Sequence, residues 1–146
     1  MNASLQIRAM TAADAVAVTA LSDELGYPGN TEAIAARIAR VASLADHTAF
    51  VAVRDGEIAG WIHLSVVHMI ESAAFVELKG LVVSSTARRA GIGAALVEAG
   101  VQWARDIGQH DMRVRSNVKR EAAHAFYRAC GFEDLKTQLN FKLRLD

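Results

Sequence analysis

Leu81-Val82-Val83-Ser84-Ser85-Thr86-Ala87-Arg88-Arg89-Ala90-Gly91-Ile92-Gly93 runs from an apolar stretch through a polar turn into two closely spaced glycines. Upstream, Ala74–Val83 carries Phe75, Val76, Leu78, Leu81, Val82 and Val83, the make-up of a largely buried strand. Downstream, Ile92–Ile107 places Ile92, Leu96, Ala99, Trp103 and Ile107 at helical spacing, with Gly108 as a stop. Met112–Ser116 then reads as another strand. A strand–helix–strand unit needs a crossover, so this segment predicts a sheet with parallel pairing, covered by helix.

Leu5, Ile7 and Ala9 alternate with polar residues as a first short strand ending near Met10. Thr11 and Asp14 have capping-box spacing ahead of a helix over about Ala12–Leu25, which Gly26-Tyr27-Pro28-Gly29 stops. Ile34, Ile38, Val41 and Leu44 mark a second helix, about Thr31–Ala45. Phe50–Arg54 and Ile58–Val67 flank Asp55-Gly56, a two-residue hairpin signal. After Met112–Ser116 come a helix over Glu121–Ala129, ended by Gly131, and an alternating tail. Leu139, Phe141, Leu143 and Leu145 share one face of that tail, which predicts one or two final strands. The fold class expected is α/β, more narrowly α plus β on a single central mixed β-sheet flanked by helices.

The chain has 146 residues, and that length predicts a single domain over 1–146. With 52% hydrophobic and 22% charged residues it has an ordinary globular composition. Sixteen basic residues balance sixteen acidic ones, against the basic excess of a nucleic-acid binder, and 6% aromatics argue against a base-stacking platform. Its lone cysteine, Cys130, excludes an intramolecular disulfide and a cysteine-rich zinc site; packing is the expected role. No apolar run reaches the roughly 18 residues of a membrane helix, and Met1-Asn2-Ala3-Ser4 lacks a signal-peptide layout. A cytoplasmic protein with no membrane partner is the expectation.

Gly91 and Gly93 let a tight turn present backbone N–H groups, and the helix beginning directly after adds partial positive charge. Arg88 and Arg89 supply charge-assisted bonds to a phosphate. A nucleotide-triphosphate loop would need Gly-Lys-Ser/Thr where Gly93-Ala94-Ala95 stands, and a dinucleotide fingerprint would need glycine at Leu96. Neither fits, which leaves a different phosphate loop or a plain surface turn.

Arg88, Gly91 and Gly93 resemble the Arg/Gln-x-x-Gly-x-Gly/Ala pyrophosphate loop of the GNAT superfamily of N-acetyltransferases. Asn117, Ala123, Phe126-Tyr127 and Gly131-Phe132 resemble that family's second signature, at the right separation and on the right elements. The likeness is close in the C-terminal half; the N-terminal half agrees only in element order. Arg89 stands where the family often has glycine, and Ser84-Ser85-Thr86-Ala87 replaces a commoner Asp-Pro-Glu-Tyr-like turn.

The resemblance implies acetyl-CoA as acyl donor, bound by the backbone of Leu81, Val82 and Val83 at the pantetheine arm and by Arg88, Arg89, Ala90, Gly91, Ile92 and Gly93 at the phosphates. It places Tyr127 beside the coenzyme sulfur and a backbone N–H near Leu81 or Val82 at the oxyanion. Asn117 could bond the pantetheine amides or cap the helix starting near Arg120.

Acyl transfer from a thioester to an amine needs a neutral amine, a stabilised oxyanion and a proton for the departing thiolate. Tyr127, with an ordinary pKa of about 10, stays protonated at neutral pH and suits the last task; packing is its alternative role. Glu77 lies in an otherwise apolar strand, where a carboxylate is costly unless paired or functional, and is the candidate base. Phe75, Glu77 and Lys79 share a face, so a Glu77–Lys79 ion pair is the competing reading. Glu71 is the second candidate base. His63, His68 and Tyr27 are candidates for the acceptor pocket.

The function expected is acetyl-CoA-dependent N-acetyl transfer to a primary amine of a small-molecule or peptide acceptor, by direct transfer in a ternary complex. The alternative is a non-catalytic acyl-CoA sensor. A longer donor such as succinyl-CoA stays open, and the alternating tail suits pairing into a homodimer. No metal is expected.

Overall fold

The computed structural model describes residues 4–87 and 90–146 and divides the chain into two compact units, one up to Val114 and one from Arg115 to Asp146. In the first unit β1 (Leu5–Ala9), α1 (Ala15–Glu24), α2 (Thr31–Ala42), β2 (His47–Arg54), β3 (Glu57–Val67), β4 (Phe75–Val83), α3 (Ile92–Asp106) and β5 (Met112–Val114) follow in order. The five strands form one sheet in the order β1-β2-β3-β4-β5. The first three pairings are antiparallel and β4–β5 is parallel, joined through α3, so the sheet is mixed as the sequence predicts. Among the described residues no helix is long and apolar enough to cross a membrane.

Asp55 and Gly56 both take positive φ (52° and 82°), the conformation that a two-residue hairpin turn demands. The Asp14 carboxylate accepts from the Thr11 N–H at 2.8 Å and from Arg8 Nη1 and Nη2 at 2.9 and 2.8 Å, tying the entry of α1 to β1. The arginine beside it holds the Asp14 carboxyl below the usual carboxylate range.

Each face of the sheet has its own core. On one, Val51 packs with Met10, Ala15, Val18 and Ile38, flanked by Ile34 and Trp61, so α1 and α2 cover this side. Gly60, next to Trp61, belongs to the other face, where a Cβ would meet Ile92 and Leu96 of α3 at 3.2–3.3 Å. Ile62, Leu64, Ile92 and Leu96 are fully buried here, each side chain worth about 1.5–3 kcal/mol.

The apolar stripe read along α3 needs a correction. Ile92 and Leu96 are buried, but Gly100 and Ala104 continue the line, while Ile107 is exposed. Small residues let the helix approach the sheet: a Cβ on Gly100 would lie 2.7 Å from Leu64 Cδ2. Element boundaries also move: α1 begins at Ala15, α2 ends at Ala42, β2 begins at His47 and β5 ends at Val114.

The second unit contains α4 (Glu121–Ala129), ended by Gly131 at φ 100°. The expected final strands are absent, because none of the described residues 132–146 pairs in a sheet. Alternation specifies a face, but strand formation also needs an edge to pair with.

Candidate functional site

β4 carries the site's backbone. Its pairing with β5 covers only Val76, Glu77 and Leu78. Towards β3, Leu64 opposes Leu78 and His63 opposes Gly80, leaving Lys79 as an extra, bulged residue. Beyond the bulge, the Ser84 N–H donates to Ala59 O at 2.8 Å. Alternation along the antiparallel ladder then turns the peptide groups of Val82 towards β3 and those of Leu81 and Val83 away from it. No described strand pairs with that outer edge. Of the three residues named for the pantetheine arm, Leu81 and Val83 therefore offer outward backbone groups, and Val82 is committed to Trp61.

The strand leads into the glycine turn. Gly91 has φ 78°, a left-handed conformation that suits glycine, and serves as N-cap of α3. The first intrahelical bond runs from the Ala95 N–H to Gly91 O at 3.0 Å, so the N–H groups of Ile92, Gly93 and Ala94 have no acceptor within the helix. These donors and the helix dipole form an anion-binding end. The Ile92 side chain is buried in the core, so only its backbone can serve a ligand. Ala90 and Gly91 are exposed. Arg88 and Arg89 lie outside the described residues.

A cleft of about 470 Å³ lies nearby, lined by residues of α1 and the β2–β3 turn, with Glu24, Glu57 and Ser84 among them. Its two carboxylates make it a poor host for phosphates, and Glu24 Oε1 accepts from Ser85 N–H and Oγ. The N-terminus of α3, with its N–H groups free of intrahelical acceptors, has the better chemistry for an anion.

Glu77 is 8% exposed and receives a bond from Lys79 Nζ at 2.7 Å, so the carboxylate and its competing ion pair are both present. Register places buried Ser65 opposite Glu77 and His63 opposite Gly80. His63 Nε2 lies 3.0 Å from His47 Nδ1, with the rings stacked. Burial first, then the positive charges of His47 and Lys79, push His63 down to about 4, so its imidazole is neutral at pH 7. His47 was not among the sequence candidates: it is 16 residues from His63, and only strand register joins them. Glu71, Tyr27 and His68 are exposed, and His68 Nε2 lies 4.0 Å from Asp46 Oδ2.

In the second unit, Tyr127 sits on α4 with its ring edge-on to Phe126 and Phe132, at 5.3 and 5.6 Å. Burial raises its pKa above the ordinary value, partly opposed by Arg120, so the phenol keeps its proton at neutral pH. Asn117 Oδ1 accepts from the Lys119 N–H at 2.9 Å and its carbonyl from Arg120 N–H at 3.0 Å. It builds the turn before α4, whose N-cap is Arg120. Burial raises the Cys130 thiol as well, disfavouring the reactive thiolate. No group of three or more His, Cys, Asp or Glu side chains among the described residues could hold a metal ion.

The model of the acetyltransferase (GNAT) family matches residues 16–132. The chain belongs to that family. An aminoglycoside N(6')-acetyltransferase type 1 of Stenotrophomonas maltophilia is 33% identical to this GNAT chain over 96 residues, 63% of each protein. The match thus spans under two thirds of that relative's length. Aminoglycoside N-acetyltransferase AAC(6')-Iy in complex with CoA shares the fold, with a TM-score of 0.87, 21% identity and coverage of 99% of this chain and 98% of that one. The same enzyme bound to the bisubstrate analogue CoA-S-monomethyl-acetylneamine gives 0.85, 21%, 97% and 99%. A transcriptional regulator from Bacillus halodurans C-125 gives 0.84, 20%, 96% and 100%.

Proposed function

We propose that this protein is an acetyl-CoA-dependent N-acetyltransferase whose acceptor is a small-molecule primary amine. The observations that carry the reading are the β4 edge at Leu81 and Val83, which no described strand pairs, and, next along the chain, the start of α3, whose first N–H groups have no acceptor within the helix. An extended pantetheine arm adds to such an edge as a strand would, and its phosphates meet the helix end. Arg88 and Arg89, which come just before that helix in the sequence, are assigned to the phosphates for their charge.

The amine nitrogen attacks the thioester carbonyl carbon, forming the C–N bond of a tetrahedral intermediate. The Leu81 N–H is oriented to receive the oxyanion, and a preorganised donor of this kind lowers a barrier by about 3–4 kcal/mol. Glu77, directly or through water, takes the proton the amine loses. As the C–S bond breaks, the Tyr127 phenol protonates the departing thiolate. Among the described residues no side chain is set up as a covalent nucleophile, which favours direct transfer in a ternary complex. Asn117 is assigned to the pantetheine amides through its side-chain nitrogen.

The 6'-amino group of an aminoglycoside is the first acceptor to test, because the 33% identical relative is named for that reaction. The Glu77–Lys79 ion pair favours a second reading, an acyl-CoA sensor in which the carboxylate serves structure. Steady-state thiol release from acetyl-CoA, with and without kanamycin, separates the two. Amine-dependent release, reduced roughly 100- to 10,000-fold in kcat by Tyr127→Phe, supports the enzyme. Wild-type kcat in that variant removes the assigned acid, and coenzyme binding with no release across a panel of primary amines supports the sensor.

A further inference from the structure

Gly80 stands beside the bulge of β4 and directly before Leu81, the residue whose N–H is assigned to the oxyanion. Its φ is not positive, so the backbone there makes no demand for glycine. What excludes a side chain is space: a Cβ on Gly80 would lie 3.0 Å from both Cη2 and Cζ3 of Trp61. Trp61, His63 and Ser65 share one face of β3, and their partners Val82, Gly80 and Glu77 share it on β4. Trp61 therefore reaches diagonally across the ladder, and its six-membered ring takes the place a side chain at residue 80 would need.

Packing alone is a poor reason for an indole here. Trp61 lies against the core around Val51, yet its Nε1 is buried with no hydrogen-bond partner among the described residues. A buried donor left unpaired costs stability, and phenylalanine would fill a core without one. The residue as a whole is only half-buried, so its exposure lies elsewhere than at the N–H. The ring that phenylalanine would lack is the one that reaches Gly80.

We infer that Trp61 sets the length of the acyl group this protein accepts and holds it to acetyl. The inference rests on the donor reading proposed above. With the phosphates at the start of α3 and the pantetheine arm running from Val83 to Leu81, the thioester carbonyl meets the Leu81 N–H. The acyl carbons come next, at Gly80. A methyl group ends there. Each further methylene has to enter space that the indole fills on this face. Just beyond, Lys79 Nζ bonds Glu77 Oε1 at 2.7 Å, and a longer apolar chain would have to strip water from that ion pair.

Calorimetric titration with acetyl-, propionyl- and butyryl-CoA tests this without an amine acceptor. Wild-type affinity should fall at each step, by roughly tenfold per methylene. Trp61→Phe ends short of Gly80 and keeps an aromatic ring against the core, so it should bind acetyl- and butyryl-CoA within about threefold of each other. Adding Gly80→Ala to Trp61→Phe returns a methyl group to the vacated place and should restore the preference for acetyl-CoA. A purely structural role for Trp61 would not be rescued from position 80. Equal wild-type affinity along the series overturns the proposal and needs no variant to fold. An unchanged preference in Trp61→Phe also overturns it, as does a double variant no more selective than Trp61→Phe. Wild-type protein that binds none of the three removes the donor reading itself, a result distinct from binding all three alike.

Discussion

His63 shows how burial and neighbouring charge act on one side chain. Its folded-state pKa of about 4 lies below the 6.5 of an ordinary histidine. Between those values the unfolded chain binds a proton that the folded chain refuses, so stability is complete above pH 6.5 and is lost as pH falls towards 4. Urea midpoints at pH 7.5 and 5.0 should therefore fall further for the wild type than for His63→Gln. Equal falls would contradict the assigned environment. Glu77 illustrates what a sequence can and cannot say about a residue. A carboxylate in an apolar strand is visible as an anomaly, and the sequence alone offers both the ion pair and the base. The structure supplies the 2.7 Å contact with Lys79, which spacing along the strand had offered, and the buried Ser65 across the ladder, which it could not. His47 escaped notice for a related reason, since cross-strand register is a property of pairing, not of composition.

Among the elements, the Asp55-Gly56 hairpin and the start of α3 were legible because glycine and turn chemistry are local. Two features were not. The bulge at Lys79 reverses the facing of β4, and nothing in the residue pattern announces it; yet it decides that Leu81 and Val83, not Val82, turn their peptide groups outward. The buried line of α3 passes through Gly100 and Ala104, whereas large apolar residues drew the sequence reading to Trp103 and Ile107. Close helix–sheet contact at Gly100 yields a prediction. Gly100→Val forces its side chain into fully buried Leu64 and should lower unfolding free energy by about 1–3 kcal/mol, read from urea denaturation. A variant as stable as the wild type would show that α3 can move off the sheet at little cost.

For the whole molecule, the mixed sheet and its helices were readable from element order, and the family from two short motifs. The alternating tail was readable as a pattern but not as an element, because strand formation depends on a partner edge. Family membership and the shared fold leave activity to the site, since the same fold serves aminoglycoside acetyltransferases and a transcriptional regulator. The central claim is that an acyl-CoA thioester lies along β4 with its phosphates at Gly91. Calorimetric titration of coenzyme-free protein with acetyl-CoA tests it most directly, with Gly91→Val as control, since a β-branched residue strains the backbone at φ 78°. We expect saturable one-to-one binding at micromolar affinity, weakened at least tenfold in the variant while the fold is kept. No heat of binding in folded wild-type protein, or unchanged affinity in Gly91→Val, would contradict the assignment.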